Sequence, residues 1–234
     1  MKNKSNYQDF IYYQSHNEQI IKQIIAKFRL SMSGITSECM TQKGIVYKKN
    51  YGVSTVRIKE ISKDYQPSAN LAKLLWNTNI RETKILATHL LPKEEANMDL
   101  INKWIDAIDT IELAEQLSMN LLIKTDNPSR IALECILSTN HWHQVIGWLM
   151  IPRIINMLDK SQTEQVITRG LSLSKSENYQ LFKPIAIGLA RLCRQGDSTA
   201  VMLQSKTQNF EISNSVSEQY IFNQIKQELL FLEN

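Results

Sequence analysis

Apolar positions recur at helical spacing along most of the chain. Ile20, Ile24 and Phe28 repeat every fourth residue, with Ile21 and Ile25 beside them and Gln, Lys and Arg between. That stripe predicts an amphipathic helix, ended by Gly34 and the polar residues around it. A short element near 36–42 and a loop over 43–53 follow. Ser54 is placed as the N-cap of a helix carrying Val56, Ile61 and Tyr65. Pro67 stops that helix and opens another bearing Leu71, Leu74, Leu75 and Trp76, and Asn77-Thr78-Asn79 forms a turn. Further helices are predicted over 80–91, 95–106, 109–123, 129–139, 142–158, 162–172, 179–195 and 215–232. Helices of about 10–18 residues with short connections pack as successive antiparallel pairs, which predicts an all-α fold and a curved α-solenoid. No low-complexity linker interrupts residues 1–234, so a single domain is expected.

Composition sharpens this. Seven Gly and five Pro are few for 234 residues, too few for the many tight turns of a sheet protein. Hydrophobic residues make up 43% and charged ones 21%, with a mean hydropathy of −0.28, the profile of a folded soluble chain. Cys39, Cys135 and Cys193 are odd in number and far apart, which suits reduced thiols. With no signal-like N-terminus and no apolar run near the roughly 20 residues of a membrane span, a cytoplasmic protein is expected.

The net charge of +4 is mild, but its distribution is not. Residues 43–63 hold Lys43, Lys48, Lys49, Arg57, Lys59 and Lys63 against Glu60 alone, a net +5 in one segment. The segment is either a solvated surface or a patch for a phosphate backbone. Lys183, Arg191 and Arg194 form a smaller basic group, with 183 and 194 three helical turns apart. Cys135, His141 and His143 do not make a metal site, because the two histidines diverge on a helix and no second thiolate lies near. Glycine-rich phosphate loops and nucleotide fingerprints are absent, and no cofactor is expected.

Several segments resemble the HEAT-like-repeat DNA alkylation repair family, the AlkD type of alkylpurine DNA glycosylase. Tyr51-Gly52-Val53-Ser54-Thr55-Val56-Arg57 with Lys63-Asp64-Tyr65 is similar to its loop-to-helix entry. Leu74-Leu75-Trp76 with Arg81-Glu82-Thr83-Lys84-Ile85-Leu86-Ala87 is similar to a following hairpin. Trp104 to Asp109, Thr110 to Glu115, Asn127 to Ala132 and Ala186 to Arg191 match later motifs in order, so the resemblance covers residues 45–195.

The resemblance implies a solenoid whose basic concave face holds duplex DNA, and excision of N3- or N7-alkylated purines. Such a lesion already carries positive charge. The site must then supply a carboxylate for the oxocarbenium-like sugar and aromatic faces for the cation. Carried over, the carboxylate falls on Glu115, with Asp109 as the alternative. The two aromatic positions hold Ile111 and Leu189, and the DNA-contacting arginine is Arg130. With the aromatics replaced, catalysis is expected to be weak or lost while Arg130, Lys48, Lys49, Arg57, Lys59, Lys63, Lys183, Arg191 and Arg194 bind DNA without sequence preference. The alternative is a non-catalytic scaffold with a protein partner on the solenoid surface.

Overall fold

The computed structural model describes the backbone of residues 4–232, with side chains from His16. Among these residues every regular element is helical: thirteen α-helices and five short 3-10 segments, with one isolated parallel bridge between Lys49 and Ile80. Two compact units form, one up to Ala96 and one from Asn97.

The first unit contains α1 (Lys4–Leu30), α2 (Gly34–Gln42), α3 (Thr55–Ser62), α4 (Ala69–Trp76) and α5 (Arg81–Leu90). Serines set three starts. Ser33, Ser54 and Ser68 each accept the amide of the residue three positions on, satisfying a donor the helix cannot pair itself. Ser68, not Pro67, therefore opens α4. Asn79, at φ 57°, turns the chain between α4 and α5. Ile24, Phe28, Ile58, Ile61, Leu75, Ile85 and Leu86 are fully or almost fully buried and form the core.

The loop before α3 is fastened by an ion pair at the start of α5. Arg81 and Glu82 are 3% and 0% exposed and 2.9 Å apart. The Glu82 carboxylate accepts the amides of Tyr51 (3.1 Å) and Val53 (3.2 Å), while Arg81 Nη1 donates to the Val53 carbonyl at 2.7 Å. The Arg81 amide donates to the Lys49 carbonyl, and the Ser33 amide to the Tyr51 carbonyl. Gly52 sits in this loop at φ 69°, and a Cβ there would lie 2.1 Å from the Ser33 carbonyl oxygen. Only glycine fits.

The second unit contains α6 (Met98–Asp106), α7 (Ile111–Asn120), α8 (Pro128–Leu137), α9 (His141–Ile154), α10 (Lys160–Ser172), α11 (Tyr179–Leu192), α12 (Asp197–Thr207) and α13 (Val216–Leu232). α9 lies at its centre, packed on α6, α7, α8 and α11; α11 packs on α10 and α13 as well. Trp148 of α9 is completely buried where α9, α10 and α11 meet. A Cβ at Gly170 would approach its ring to 2.8 Å, and one at Gly188 to 3.0 Å. The indole occupies the space that two side chains would need.

Several expected boundaries shift. α12 was not anticipated, because only Leu203 and Thr207 of its residues are buried and no stripe results. The ends predicted for the helices at 109–123, 142–158 and 179–195 are 3-10 turns instead.

Candidate nucleic-acid interface

The α7 helix starts at a Thr110 cap, whose hydroxyl accepts the Leu113 amide. Its first turns therefore carry Ile111, Glu112 and Glu115 in sequence. Ile111 and Glu115 are four residues apart and share a face; Ile111 is half-buried and Glu115 exposed. Although Glu115 reaches solvent, its carboxyl end is crowded. Burial raises its pKa above the ordinary 4.5, Glu112 raises it further, and Arg153 and Lys183 pull it back. Glu115 thus lies within electrostatic reach of Glu112 on its own helix, of Arg153 on α9 and of Lys183 on α11.

The next turn of the site comes from α11. Asn178 caps the helix by accepting the Gln180 amide. Tyr179 and Lys183 lie one turn apart, with the Lys183 ammonium 5.3 Å from the Tyr179 ring centroid. A hydrogen bond to the Tyr179 hydroxyl raises the Lys183 pKa, and Tyr220 and Glu115 add to the shift. Phe182 meets Tyr179 edge-on at 5.3 Å and Tyr220 of α13 at 5.7 Å. The second unit therefore offers an aromatic and cationic surface beside Glu115, but its rings come from Tyr179 and Tyr220. Neither was singled out from sequence: each reads as an isolated aromatic until α11 and α13 pack together.

The other expected positions are placed as follows. Leu189 is fully buried, with its methyls against Gly170 and the Trp148 ring, so it lines no surface. Asp109 is exposed just before the α7 cap. Arg130 is exposed near the start of α8 and paired with Glu134 at 2.8 Å. Arg191 and Arg194 both bond Glu228 of α13, which fastens α11 to the C-terminal helix. Arg169 donates to the Ile136 and Ser138 carbonyls and closes the end of α8. His143 bonds Asp106 at 2.8 Å, tying α9 to α6. Among the described residues no three His, Cys, Asp or Glu side chains are grouped to hold a metal ion, and no helix is long and apolar enough to cross a membrane.

In the first unit, Lys48, Lys49, Arg57, Lys59 and Lys63 are all exposed. Arg57 is engaged by Glu60 at 2.9 Å and approaches the Ser31 hydroxyl. Tyr51 lies beneath Lys49, whose ammonium is 5.2 Å from the ring centroid.

The fold is similar to a solved structure described as belonging to "a new family of proteins related to the HEAT-like repeat DNA glycosylases with affinity for branched DNA structures". The TM-score is 0.74 at 14% identity, over 90% of this chain and 94% of that one. This likeness identifies the arrangement of helices as HEAT-like. No curated protein matches the chain by sequence. The family model described as DNA alkylation repair enzyme matches residues 22–177, two thirds of the chain. This chain belongs to the DNA alkylation repair enzyme family.

Proposed function

We propose that this protein binds DNA through its exposed cations, prefers branched over linear duplex, and excises alkylated bases weakly or not at all. The observation carrying this reading is the charge pattern around Glu115. A carboxylate that stabilises an oxocarbenium-like sugar must present uncompensated negative charge. Here burial and Glu112 disfavour a charged Glu115, and Arg153 and Lys183 compete with a cationic sugar or purine for it. With Ile111 aliphatic and Leu189 in the core, neither position supplies a ring. The same Lys183 and Arg153 suit a phosphate.

The preference for branches rests on two supports. The solved relative's description names affinity for branched DNA. Tyr179 is 55% exposed beside Lys183, a ring available to bases that a branch point leaves unstacked.

Fluorescence anisotropy with a four-way junction and a linear duplex of equal length tests the reading. Junction binding should be tighter, and with about four to six phosphates neutralised its logarithm should fall against log salt with a slope of roughly −4 to −5. Release of free 7-methylguanine from alkylated duplex should be absent or slow. No DNA binding even at low salt would overturn the proposal in favour of a protein scaffold. Vigorous excision that survives Glu115→Gln would show that the carboxylate lies elsewhere, with Asp109 the next position to change.

A further inference from the structure

The cations of the first unit differ in what holds them. Lys27 is paired with Asp64 at 2.9 Å, and Arg57 with Glu60. Arg29, in the last turn of α1, and Lys49, in the fastened loop, form no ion pair with a described carboxylate; both instead approach the hydroxyl of Tyr51. Tyr51 is only 8% exposed, and its buried hydroxyl has no hydrogen-bond partner of good geometry. Burial alone would raise the phenol's pKa, but Arg29 and Lys49 outweigh it and lower the value below 10.0. Two cations thus crowd one oxygen that gives them neither full charge compensation nor a completed hydrogen bond.

The loop is also held unusually firmly for a surface segment. Tyr51 and Val53 are bound to the Glu82 carboxylate, Val53 to Arg81, and the Gly52 amide to the Asn50 side chain at 2.8 Å. With Lys49 5.2 Å over the Tyr51 ring and Arg29 beside the same phenol, two cations on a rigid support make a preorganised anion site. Which anion follows from the proposed DNA binding, on which this inference rests.

We propose that Arg29 and Lys49 together grip a single DNA phosphodiester, with Tyr51 as the positioning residue that sets their separation. The phosphate supplies the negative charge that the phenol lacks. Arg29 can donate two parallel bonds to its oxygens and Lys49 one more. Deprotonation of Tyr51 would compete with the phosphate for the same two cations, so binding should weaken as pH approaches the phenol's titration.

The number of phosphates gripped is measurable, because each one neutralised adds about 0.9 to the salt slope. Junction affinity would be measured across salt concentrations for Arg29→Gln, Lys49→Gln and the double variant. If both cations hold one phosphate, each single variant lowers affinity but leaves the slope nearly unchanged, because the other cation still neutralises it. The double variant then lowers the slope's magnitude by about 0.9. Additive losses of about 0.9 each, reaching about 1.8, would mean two separate phosphates and overturn the proposal; so would an unchanged slope in the double variant. Tyr51→Phe should lower affinity with the slope and melting temperature preserved, and should remove the part of the alkaline loss that precedes lysine deprotonation at about 10.4. An alkaline profile identical to the parent's would remove Tyr51 from the site.

A second arm needs no DNA. Inorganic phosphate should raise the midpoint of the Tyr51 phenol titration, followed by near-ultraviolet absorbance with Tyr51→Phe as the blank. Failure of DNA binding together with this shift would sink the proposed function and reassign the pair to a free anion. DNA binding without the slope loss would sink this inference alone.

Discussion

Replacing Glu82 by Gln should unfold the first unit more readily than any surface change, and the size of the effect follows from the hydrogen bonds. The Glu82 carboxylate is wholly buried and accepts two backbone amides and the Arg81 guanidinium, which is itself 3% exposed. A glutamine keeps one acceptor oxygen, turns an NH2 group toward a donor, and takes the negative charge away from beside the buried Arg81. Breaking one side of a buried pair costs about 3–5 kcal/mol. Across a chain of this size that corresponds to a melting temperature lower by about 6–20 °C, and by more if the first unit melts separately. Replacing both partners, as in Arg81→Met with Glu82→Leu, removes both buried charges. It nevertheless strands the Tyr51 and Val53 amides and the Val53 carbonyl, at about 1–3 kcal/mol for each buried group left unmade. The double variant should therefore remain clearly destabilised, but by less than the two single losses added. Circular dichroism melts give the size, and amide exchange at Tyr51 and Val53 gives the place. A Glu82→Gln variant that melts within about 2 °C of the parent, a loss near or below 1 kcal/mol on the same scale, would refute the view that this pair holds the loop.

Three further outcomes are expected. Gly52→Ala should destabilise the first unit by several kcal/mol, because a left-handed φ and a 2.1 Å approach to the Ser33 carbonyl leave no room to relax; a melt matching the parent would contradict this. Leu189→Trp, alone or with Ile111→Trp and Glu115→Asp, should lower the melting temperature and restore no base excision, since the added ring volume meets Gly170 and Trp148; excision by the triple variant would show that the core yields. Junction affinity should rise as pH falls from 7 toward about 5, because Glu115 takes up its proton above the ordinary glutamate value and one negative charge near Arg153 and Lys183 is lost. Glu115→Gln should bind more tightly at pH 7 and lose that component, and an equally steep pH response in this variant would remove Glu115 from the interface.

The helices were legible in sequence where burial is one-sided. Ile20, Ile24 and Phe28 mark α1, and Ser54 marks the start of α3, because a stripe and a cap are both local. The helix at 197–207 was not, since its two buried residues, Leu203 and Thr207, make no stripe. At the site, Glu115 was reached through resemblance, but its partners Arg153 and Lys183 come from other helices and only packing joins them. Charge counts leave engagement unseen: Arg191 and Arg194 bond Glu228 of α13, a carboxylate distant in sequence. In sequence, Arg81 and Glu82 belong to a family-like motif that assigns them no task. Their task is visible only once the loop over 49–53 lies against them.

The indole of Trp148, set against Gly170 and Gly188, links three positions on three helices into one unit of sequence change. A side chain at 170 forces Trp148 or Leu189 to shift and one at 188 presses on the same indole, while trimming 148 alone leaves a cavity that the two glycines cannot fill. Drift at this point has to be concerted. Among relatives of the same fold, a smaller residue at the position of Trp148 should accompany larger ones at the positions of Gly170 and Gly188, and mixed combinations should be scarce.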